Sequence, residues 1–542
     1  MTVATPVFPI TDVLPDILAA LAAHPRLVLE APPGAGKTTQ VPLALLDAPW
    51  LAGRKIVMLE PRRIAARAAA QFMAQQLGEE VGQTVGYRIR FESRVSATTR
   101  IEVVTEGILT RLIQADPELG GIGAIIFDEF HERHLAGDLG AVLALDVQAT
   151  LRPELRLLLM SATLDGERVA AWLDAPRITS PGRSFPVRIE HPPARAQESI
   201  EHHVARITRQ ALEENEGDVL AFLPGRREIA RTQMVLSQTL ASSPGSRRNV
   251  EVLALHGELS LAEQQAALAP AEAGTRRVVL ATNVAESSIT LPGIRAVIDA
   301  GLAREPRFDP NSGFTRLETV TISQASADQR AGRAGRVAAG TAYRLWPQSK
   351  RLESARKAEI TQAELSALAL ELAAWGVPAD GTAAMRWLEP PPAGALAQAR
   401  ELLIRLAALD ADGRITALGR RMLELGASPR LAAAALRAPI ELRALIADLL
   451  ALMEARSPLR GEQARSDDFR VRLAALHAWR DRRGATTRGE VDTGALAAIE
   501  QVSKGWRRRL DVRTAASGVP DSHRVGELLL HAFPDRVGRR DD

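Results

Sequence analysis

Carboxylates and histidines follow an apolar run in the stretch AIIFDEFHERH, residues 124–134. Asp128 and Glu129 end the run, and His131 and His134 come directly after them. Such a group could ligate a metal ion, transfer a proton, belong to a nucleotide site, or form only a charged turn after a core strand. A zinc protease site is disfavoured, because the two histidines do not have the HExxH spacing. The stretch by itself does not decide among the remaining possibilities.

A glycine-rich segment, APPGAGKTT at residues 31–39, follows one apolar run and precedes a helical pattern. This is the context of a P-loop, in which backbone N–H groups and the start of the next helix bind phosphates. Lys37 would reach the β- and γ-phosphates, and Thr38 would ligate magnesium. Ala31 replaces the usual first glycine, which predicts that its φ is not positive. The predicted nucleotide-binding residues are Pro33, Gly34, Ala35, Gly36, Lys37, Thr38 and Thr39.

Together with a P-loop, the carboxylates at the end of AIIFDE have the Walker-B arrangement. Asp128 would hold magnesium, and Glu129 would polarise the attacking water. The pairing of the two motifs strongly disfavours a mere charged turn. The predicted cofactors are therefore ATP and Mg²⁺.

Short apolar runs that end in polar or glycine-rich signals recur along the first two thirds of the chain. Their alternation with helical patterns predicts parallel sheets covered on both faces, with ligands at the carboxyl ends of the strands. The series occurs twice, over residues 10–178 and 183–348. After that the apolar spacing is helical, which predicts a small helix-plus-wing module at 349–425 and a helical bundle at 428–542.

Two arginines of QRAGRAGR, residues 329–336, stand one helical turn apart. Only the first α/β unit has a P-loop and a magnesium carboxylate. Arg333 and Arg336 of the second unit could therefore face the nucleotide across a cleft and neutralise charge in the transition state. Catalysis would then depend on cleft closure.

The order of these motifs resembles that of the DEAH-box helicases of superfamily two, most closely the HrpB branch. The motifs are APPGAGKT, LEPRR, TEGILTR, DEFH, SAT, FLPG, TNVAESSIT and QRAGRAGR. The resemblance implies two tandem RecA-like α/β domains, followed by an α-rich region with a winged helix and a helical ratchet bundle. It also implies that residues 302–322 form a strand-separating β-hairpin.

The resemblance further implies roles for individual residues. Ser161 and Thr163 would couple hydrolysis to strand movement, and His131 would contact Gln329 of the second unit. Contacts to a single nucleic-acid strand are implied for residues of both α/β units. In the first α/β unit they are Arg62, Arg63, Thr105 and Gly107. In the second α/β unit they are Phe222–Gly225, Thr282 and Asn283.

The implied activity is ATP-driven 3′-to-5′ translocation on single-stranded RNA with duplex unwinding. Nothing in the residues themselves separates RNA from DNA, so a DNA helicase and an ATP-gated RNA clamp stay open as well. Aromatic residues are only 4% of the chain, which indicates that phosphate and sugar contacts dominate over base stacking. Phe72 would stack on the nucleobase without reading its edges, so other NTPs should also serve.

The composition limits the class of protein. Formal net charge is +3, from 68 basic and 65 acidic residues, so the chain is no general polycation. The absence of cysteine excludes disulfides and fits a reducing compartment, and together with the lack of a signal peptide it predicts a cytoplasmic protein. A monomer is expected, although the sequence does not reveal the oligomeric state. The chain also ends where relatives of the resembled family continue, so their C-terminal module is expected to be missing.

Overall fold

A computed structural model describes residues 8–89, 92–105, 107–162, 166–182, 185–241, 249–286, 291–309, 314–466, 468–481, 491–516 and 522–538. The chain forms two compact units. The first unit comprises residues 1–363 and 385–390, and the second comprises 364–384 and 391–542. The boundaries of the four predicted domains remain a prediction.

The first lobe of the first unit, residues 8–182, contains one eight-stranded sheet. Its strands are β1 Arg26–Glu30, β2 Lys55–Leu59, β3 Val85–Ile89, β4 Glu92–Arg94, β5 Ile101–Val104, β6 Ile122–Phe127, β7 Arg156–Ser161 and β8 Arg177–Thr179. Their order is β4-β3-β5-β2-β6-β7-β1-β8, and every pair except β3–β4 is parallel. The helices are α1 Leu14–Ala23, α2 Lys37–Leu45, α3 Arg63–Gln76, α4 Ile108–Ala115, α5 Leu135–Thr150 and α6 Gly166–Leu173.

The second lobe, residues 185–347, contains a six-stranded parallel sheet and a hairpin. Its strands are β9 Val187–Glu190, β10 Asp218–Phe222, β11 Asn249–Leu255, β12 Thr275–Ala281, β13 Ile294–Asp299, β14 Leu302–Asp309, β15 Phe314–Thr321 and β16 Gly340–Arg344. The sheet order is β11-β12-β10-β13-β16-β9, and β14 pairs antiparallel with β15. The helices are α7 Ile200–Glu214, α8 Arg226–Ala241, α9 Leu261–Leu268 and α10 Gln324–Ala331.

The central strands of both sheets consist mainly of buried apolar residues, as the apolar runs of the sequence predicted. Strands β1, β2, β6 and β7 are almost entirely buried, and so are β10, β12 and β13. Branched aliphatic side chains suit a strand that is covered on both faces by helices. The predicted pair of parallel sheets is therefore confirmed. The hairpin β14–β15 lies within residues 302–322, although its tip falls outside the described residues.

The second unit is helical. Its helices are α11 Ser366–Ala374, α12 Ala393–Arg405, α13 Ala417–Leu425, α14 Pro429–Arg437, α15 Arg443–Glu454, α16 Phe469–Asp481, α17 Thr493–Arg509 and α18 Ser522–Ala532. A single antiparallel bridge, Leu409 to Ile415, is the only strand-like pairing between α12 and α13 among the described residues. The predicted α-rich C-terminal region is confirmed. No helix in the described part of the chain is long and apolar enough to span a membrane.

A buried carboxylate connects three helices of this unit. Asp448 of α15 accepts hydrogen bonds from Arg480 at 2.6 and 2.7 Å and from the Ser503 hydroxyl at 2.5 Å. His477 lies 3.1 Å from the same carboxylate. Burial raises the pKa of Asp448, but Arg480 and the other donors lower it further, to about 2. The carboxylate is therefore charged and well satisfied inside the bundle.

We expect Asp448→Asn to destabilise the bundle by about 2 kcal/mol, because the partly buried Arg480 keeps only one of its two carboxylate partners, Glu500. Hydrogen exchange of the amides in α15 and α17 measures the change. Since the folded pKa is about 2 and the ordinary value is 3.8, the stabilisation is fully present above about pH 4 and is lost as pH falls toward 2. The difference from wild type should therefore shrink over that range. The exposed Asp412→Asn is the control, and an equal effect there would contradict the prediction.

Candidate functional site

The sheet of the first lobe brings three motif-bearing strand ends together. Strands β6, β7 and β1 are neighbours in the order, and all three run parallel. Parallel strands end at the same edge, so the segments after Glu30, Phe127 and Ser161 must meet there. The N–H of Ala31 donates to the Ser161 carbonyl at 3.0 Å, which fixes the start of the P-loop against β7.

The predicted P-loop adopts the expected backbone conformation. Gly34 and Gly36 have φ values of 88° and 94°, which side-chain-bearing residues rarely adopt. Ala31 is not among the described residues with positive φ, as the sequence predicted. Helix α2 begins at Lys37 with Gly36 as its N-cap, so its N-terminal N–H groups face the loop.

Four side chains of the two motifs form one buried cluster. Lys37 Nζ donates to Glu129 Oε1 at 3.0 Å and lies 4.0 Å from Asp128 Oδ1. The Thr38 hydroxyl donates to Asp128 Oδ2 at 2.6 Å. Lys37, Asp128 and Glu129 are each less than 5% exposed. The structure therefore places the predicted phosphate-binding lysine and the predicted magnesium and water-activating residues in direct contact.

The protonation of this cluster follows from burial and the internal charges. Burial would lower the pKa of Lys37, but Glu129 and Asp128 raise it above its ordinary value. Burial raises the pKa of Asp128 to about 6, although Lys37 offsets part of the shift. Burial also acts to raise the pKa of Glu129, but Lys37 outweighs it, so that pKa is lowered. Of the two carboxylates, Glu129 is therefore the one that keeps its charge to lower pH.

His131 lies between the two lobes. Its Nδ1 is 3.5 Å from Glu129 Oε2 and accepts from the Ala162 N–H at 3.3 Å. Its Nε2 is 3.4 Å from Gln329 Nε2 of the second lobe, the partner that the resemblance implied. Burial lowers the pKa of His131, which favours a neutral ring. Ser161, which directly precedes Ala162, is buried, whereas Thr163 lies outside the described residues.

The two candidate arginines follow α10 on a short 3₁₀ turn, Gly332–Gly335. Residues three apart eclipse on such a turn, which puts Arg333 and Arg336 on one side. Arg336 lies against the P-loop, because a Cβ on Gly34 would be 3.3 Å from its Nε. Arg333 is buried and donates to the Glu286 carbonyl at 3.2 Å. Burial lowers the pKa of Arg336 to about 10 and that of Arg333 well below its ordinary value, while Glu129 opposes both shifts.

A third arginine of the same motif, Arg330, holds the end of α10 and the following 3₁₀ turn in place. The spacing of the motif did not single out this residue. Arg330 donates to Glu286 at 2.8 Å and to Asp299 at 2.9 Å, and its guanidinium lies 4.8 Å from the Phe222 ring centre. Phe222 is fully buried, and contact of its backbone with a strand remains a prediction. Only the repeated arginine in QRAGRAGR signalled a role for Arg330.

A cavity of about 580 Å³ opens between the lobes. It is separate from the cluster of Lys37, Thr38, Asp128 and Glu129, which we call the nucleotide cluster. It is lined by five arginines, by several apolar residues, and by Thr282 and Asn283 of the second lobe. The arginines are Arg62, Arg63, Arg67, Arg304 and Arg356. The structure thus brings together four of the predicted strand-contact residues, two from each lobe.

The other predicted strand contacts lie outside the lining of this cavity. Thr105 is buried and receives an N–H bond at its carbonyl from Ile108, and Gly107 is the N-cap of α4 with φ 76°. Gly225 approaches the cavity through Arg304, since a Cβ there would be 3.0 Å from the Arg304 guanidinium. Contact of these residues with a strand remains a prediction.

Comparisons with known proteins agree with this arrangement. The DEAD/DEAH box helicase model matches residues 11–171, the helicase conserved C-terminal domain matches 202–338, and the winged-helix helicase associated domain (HA2) matches 399–426. The chain is 44% identical over 535 residues to the ATP-dependent RNA helicase HrpB of Escherichia coli K12, covering 98% of this chain and 62% of that protein. It is 35% identical over 434 residues to the pre-mRNA-splicing factor ATP-dependent RNA helicase prp22 of Schizosaccharomyces pombe, covering 78% of this chain and 36% of that protein.

A solved structure shows the same fold. The crystal structure of the Escherichia coli DEAH/RHA helicase HrpB has a TM-score of 0.82 at 43% identity, covering 98% of this chain and 64% of that one. The chain thus spans less than two thirds of the length of these relatives. With two parallel-sheet lobes, a shared nucleotide cluster and the three matched domains, the chain belongs to the DEAD/DEAH box helicases and is similar to their HrpB members.

Proposed function

We propose that the chain hydrolyses ATP, and other NTPs, to translocate 3′-to-5′ on single-stranded RNA and to unwind duplexes. The observation that carries the proposal is the position of Arg336, a second-lobe residue that lies against Gly34 of the first-lobe P-loop. A nucleotide bound by the P-loop would therefore meet cations from both lobes. The enzyme is proposed to act in the cytoplasm as a monomer.

The residues of the cluster suit phosphoryl transfer to water. Glu129 stays charged and can orient an attacking water and accept its proton. Lys37, protonated beside Glu129, can turn to a phosphate that enters the loop. Arg333 and Arg336 supply positive charge from the second lobe, so the transition state would be fully stabilised only when the lobes are closed.

The donor set also fits magnesium. The Thr38 hydroxyl and the Asp128 carboxylate are hard oxygen donors 2.6 Å apart, of the kind that Mg²⁺ accepts together with phosphate oxygens. Mg²⁺ held by these two residues would neutralise negative charge on the phosphates. Burial raises the pKa of Asp128 to about 6, so a cation there would also keep that carboxylate ionised.

The cavity between the lobes supports the strand part of the proposal. Its arginines can bind phosphates, and Thr282 and Asn283 can donate or accept hydrogen bonds to the backbone of a strand. Contacts of this kind carry little sequence information. Because residues of both lobes line the cavity, opening and closing of the lobes with each nucleotide would shift the contacts along one nucleic-acid strand.

Glu129→Gln should retain nucleotide binding but reduce turnover by roughly 10²–10⁴-fold, because the amide cannot accept the proton from water. Steady-state phosphate release and binding of a fluorescent ATP analogue measure the two effects. Lys37→Ala is the matched comparison, since it removes the phosphate contact and should weaken binding as well as turnover. Hydrolysis by the glutamine variant at nearly the wild-type rate would remove Glu129 from its role.

Discrimination among nucleobases should be weak. Phe72 is 36% exposed and packs edge-to-face on Phe8, with ring centres 6.1 Å apart, and Phe8 in turn contacts Gly36 of the P-loop. A ring near the loop can stack on any base without reading its edges. We expect the KM values of ATP, GTP, CTP and UTP to lie within roughly tenfold of one another, with Phe72→Ala raising all four alike. A strict preference for ATP would contradict this.

The experiment that tests the proposed function compares ATPase stimulation by a poly-ribonucleotide and by single-stranded DNA of equal length. Stronger stimulation by the poly-ribonucleotide is expected, since only RNA offers 2′-hydroxyls to the cavity. Single-turnover unwinding of 3′-tailed and 5′-tailed RNA duplexes then tests direction. Strand release only from the 3′-tailed duplex is expected. Stimulation without release would indicate a clamp, and preference for DNA would indicate a DNA helicase.

A further inference from the structure

Four of the arginines that line the interlobe cavity are paired with carboxylates of the protein itself. The pairs are Arg62–Glu132, Arg67–Glu92, Arg304–Glu228 and Arg356–Glu305. Glu132 differs from the other three carboxylates in its position, because it lies on the turn that carries Glu129 of the nucleotide cluster. It is also the most buried of the four, with a side chain only 6% exposed.

The Arg62–Glu132 pair belongs to the first lobe and is joined to the second lobe through Arg62. Arg62 Nη2 donates to Glu132 Oε1 at 2.8 Å and to Oε2 at 2.9 Å, and its Nη1 donates to the Asn283 carbonyl of the second lobe. Burial acts to raise the pKa of Glu132, but Arg62 outweighs it, so that the pKa lies well below its ordinary value. The carboxylate is therefore charged and held by the guanidinium that the cavity presents.

The backbone of the turn that joins Glu132 to Glu129 is conformationally restricted. Phe130–Glu132 is one 3₁₀ turn, closed by the Glu132 N–H donating to the Glu129 carbonyl at 2.9 Å. Glu129 and Arg133, which flank the turn, have φ values of 50° and 52°. Non-glycine residues keep such values only when surrounding contacts hold them. A shift of Glu132 must therefore reach the backbone of Glu129.

We propose that Glu132 is a positioning residue that couples strand binding to ATP hydrolysis through Arg62. This inference rests on the proposed function. A strand phosphate in the cavity is an acceptor equivalent to the carboxylate and competes with Glu132 for Arg62, because two anions on one guanidinium repel each other. When Arg62 turns to the phosphate, Glu132 is released and the turn relaxes, which brings Glu129 into its productive position.

The released carboxylate keeps a partner. His134 Nε2 lies 2.8 Å from Glu132 Oε2, and His134 Nδ1 lies 3.5 Å from Glu359 Oε2. Loss of Arg62 therefore does not leave a buried charge without any donor, which would otherwise make the exchange too costly. Two arrangements of Glu132 are thus accessible, one that includes Arg62 and His134 and one that keeps His134 without Arg62.

Glu132→Gln tests the proposal, since the amide keeps the shape of the side chain and loses its charge. We expect the ATPase rate measured without nucleic acid to rise about three- to tenfold, and half-maximal stimulation to need a similarly lower poly-ribonucleotide concentration. The ratio of stimulated to unstimulated rate should fall. A merely structural role would lower both rates together.

Arg62→Gln separates coupling from binding. It also releases Glu132, so the unstimulated rate should rise as in Glu132→Gln, but the cavity loses a cation and the strand should bind more weakly. In the double variant the unstimulated rate should equal that of either single variant, because both act on one contact. Glu92→Gln is the matched control. Glu92 lies on strand β4 and is the carboxylate partner of Arg67, another arginine of the cavity. Its replacement should leave the unstimulated rate at the wild-type value.

Each outcome decides one proposal. Wild-type ATPase that no single-stranded nucleic acid stimulates contradicts the proposed function and overturns the coupling with it. Stimulated wild-type ATPase with an unchanged unstimulated rate in both Glu132→Gln and Arg62→Gln overturns the role of Glu132 alone. Additive effects in the double variant, or the same rise in Glu92→Gln, also overturn it. Should Glu132→Gln fail to fold in a thermal melt, Arg62→Gln alone still carries the test.

Discussion

The ion pair between Lys37 and Glu129 is the interaction on which the nucleotide site depends. Asp128 and Glu129 place two adjacent carboxylates in a buried position, where like charges would normally force one of them to take up a proton. Lys37, 3.0 Å from one carboxylate and 4.0 Å from the other, stabilises the charged form of Glu129. The site still carries an excess of negative charge, so a polyphosphate can be accommodated only with further cations.

Arg333 and Arg336 of the second lobe are the proposed source of those cations, and their position depends on a separate ion-pair frame. Arg330 is held by Glu286, by Asp299 and by the face of Phe222, so it anchors the end of α10 to the sheet. The 3₁₀ turn that follows then presents Arg333 and Arg336 on one side. Arg330 thus holds in place the segment that carries the other two arginines.

Much of this arrangement could be predicted from the sequence, because it rests on local patterns. Continuous apolar runs predicted the central strands, and the motif order placed Lys37, Asp128 and Glu129 at one sheet edge. Short or half-exposed edge strands such as β4 and β9 lack such a signal. They form because a neighbouring strand offers free backbone groups, a property of the tertiary structure.

The partners of charged side chains were also out of reach of the sequence. Arg62 looked like a free phosphate-binding residue, but the carboxylate that holds it lies 70 positions later and its carbonyl acceptor 221 positions later. Phe222 was singled out only by the resemblance, and the sequence did not reveal that α10 covers its ring with Arg330. In each case the contact depends on how two lobes or two elements pack, and no local pattern encodes that.

In the proposed coupling, the turn from Glu129 to Arg133 links the nucleotide cluster to the interlobe cavity. Glu129 at its start contacts Lys37 of the nucleotide cluster, and Glu132 near its end contacts Arg62, which lines the interlobe cavity. Two backbone hydrogen bonds hold the turn, from the Glu132 N–H to the Glu129 carbonyl and from the Arg133 N–H to the Phe130 carbonyl. Together with the two left-handed residues they leave the turn few accessible conformations. Coupling between two ligands is reciprocal: if a strand favours one arrangement of this turn, nucleotide binding that favours the same arrangement must tighten the grip on the strand by the same factor. The proposed translocation needs this reciprocity, since each change at the phosphates must alter the hold on the strand. The turn Phe130–Glu132 and its flanking residue Glu129 contact both sites, through Glu132 and Arg62 on one side and Glu129 and Lys37 on the other.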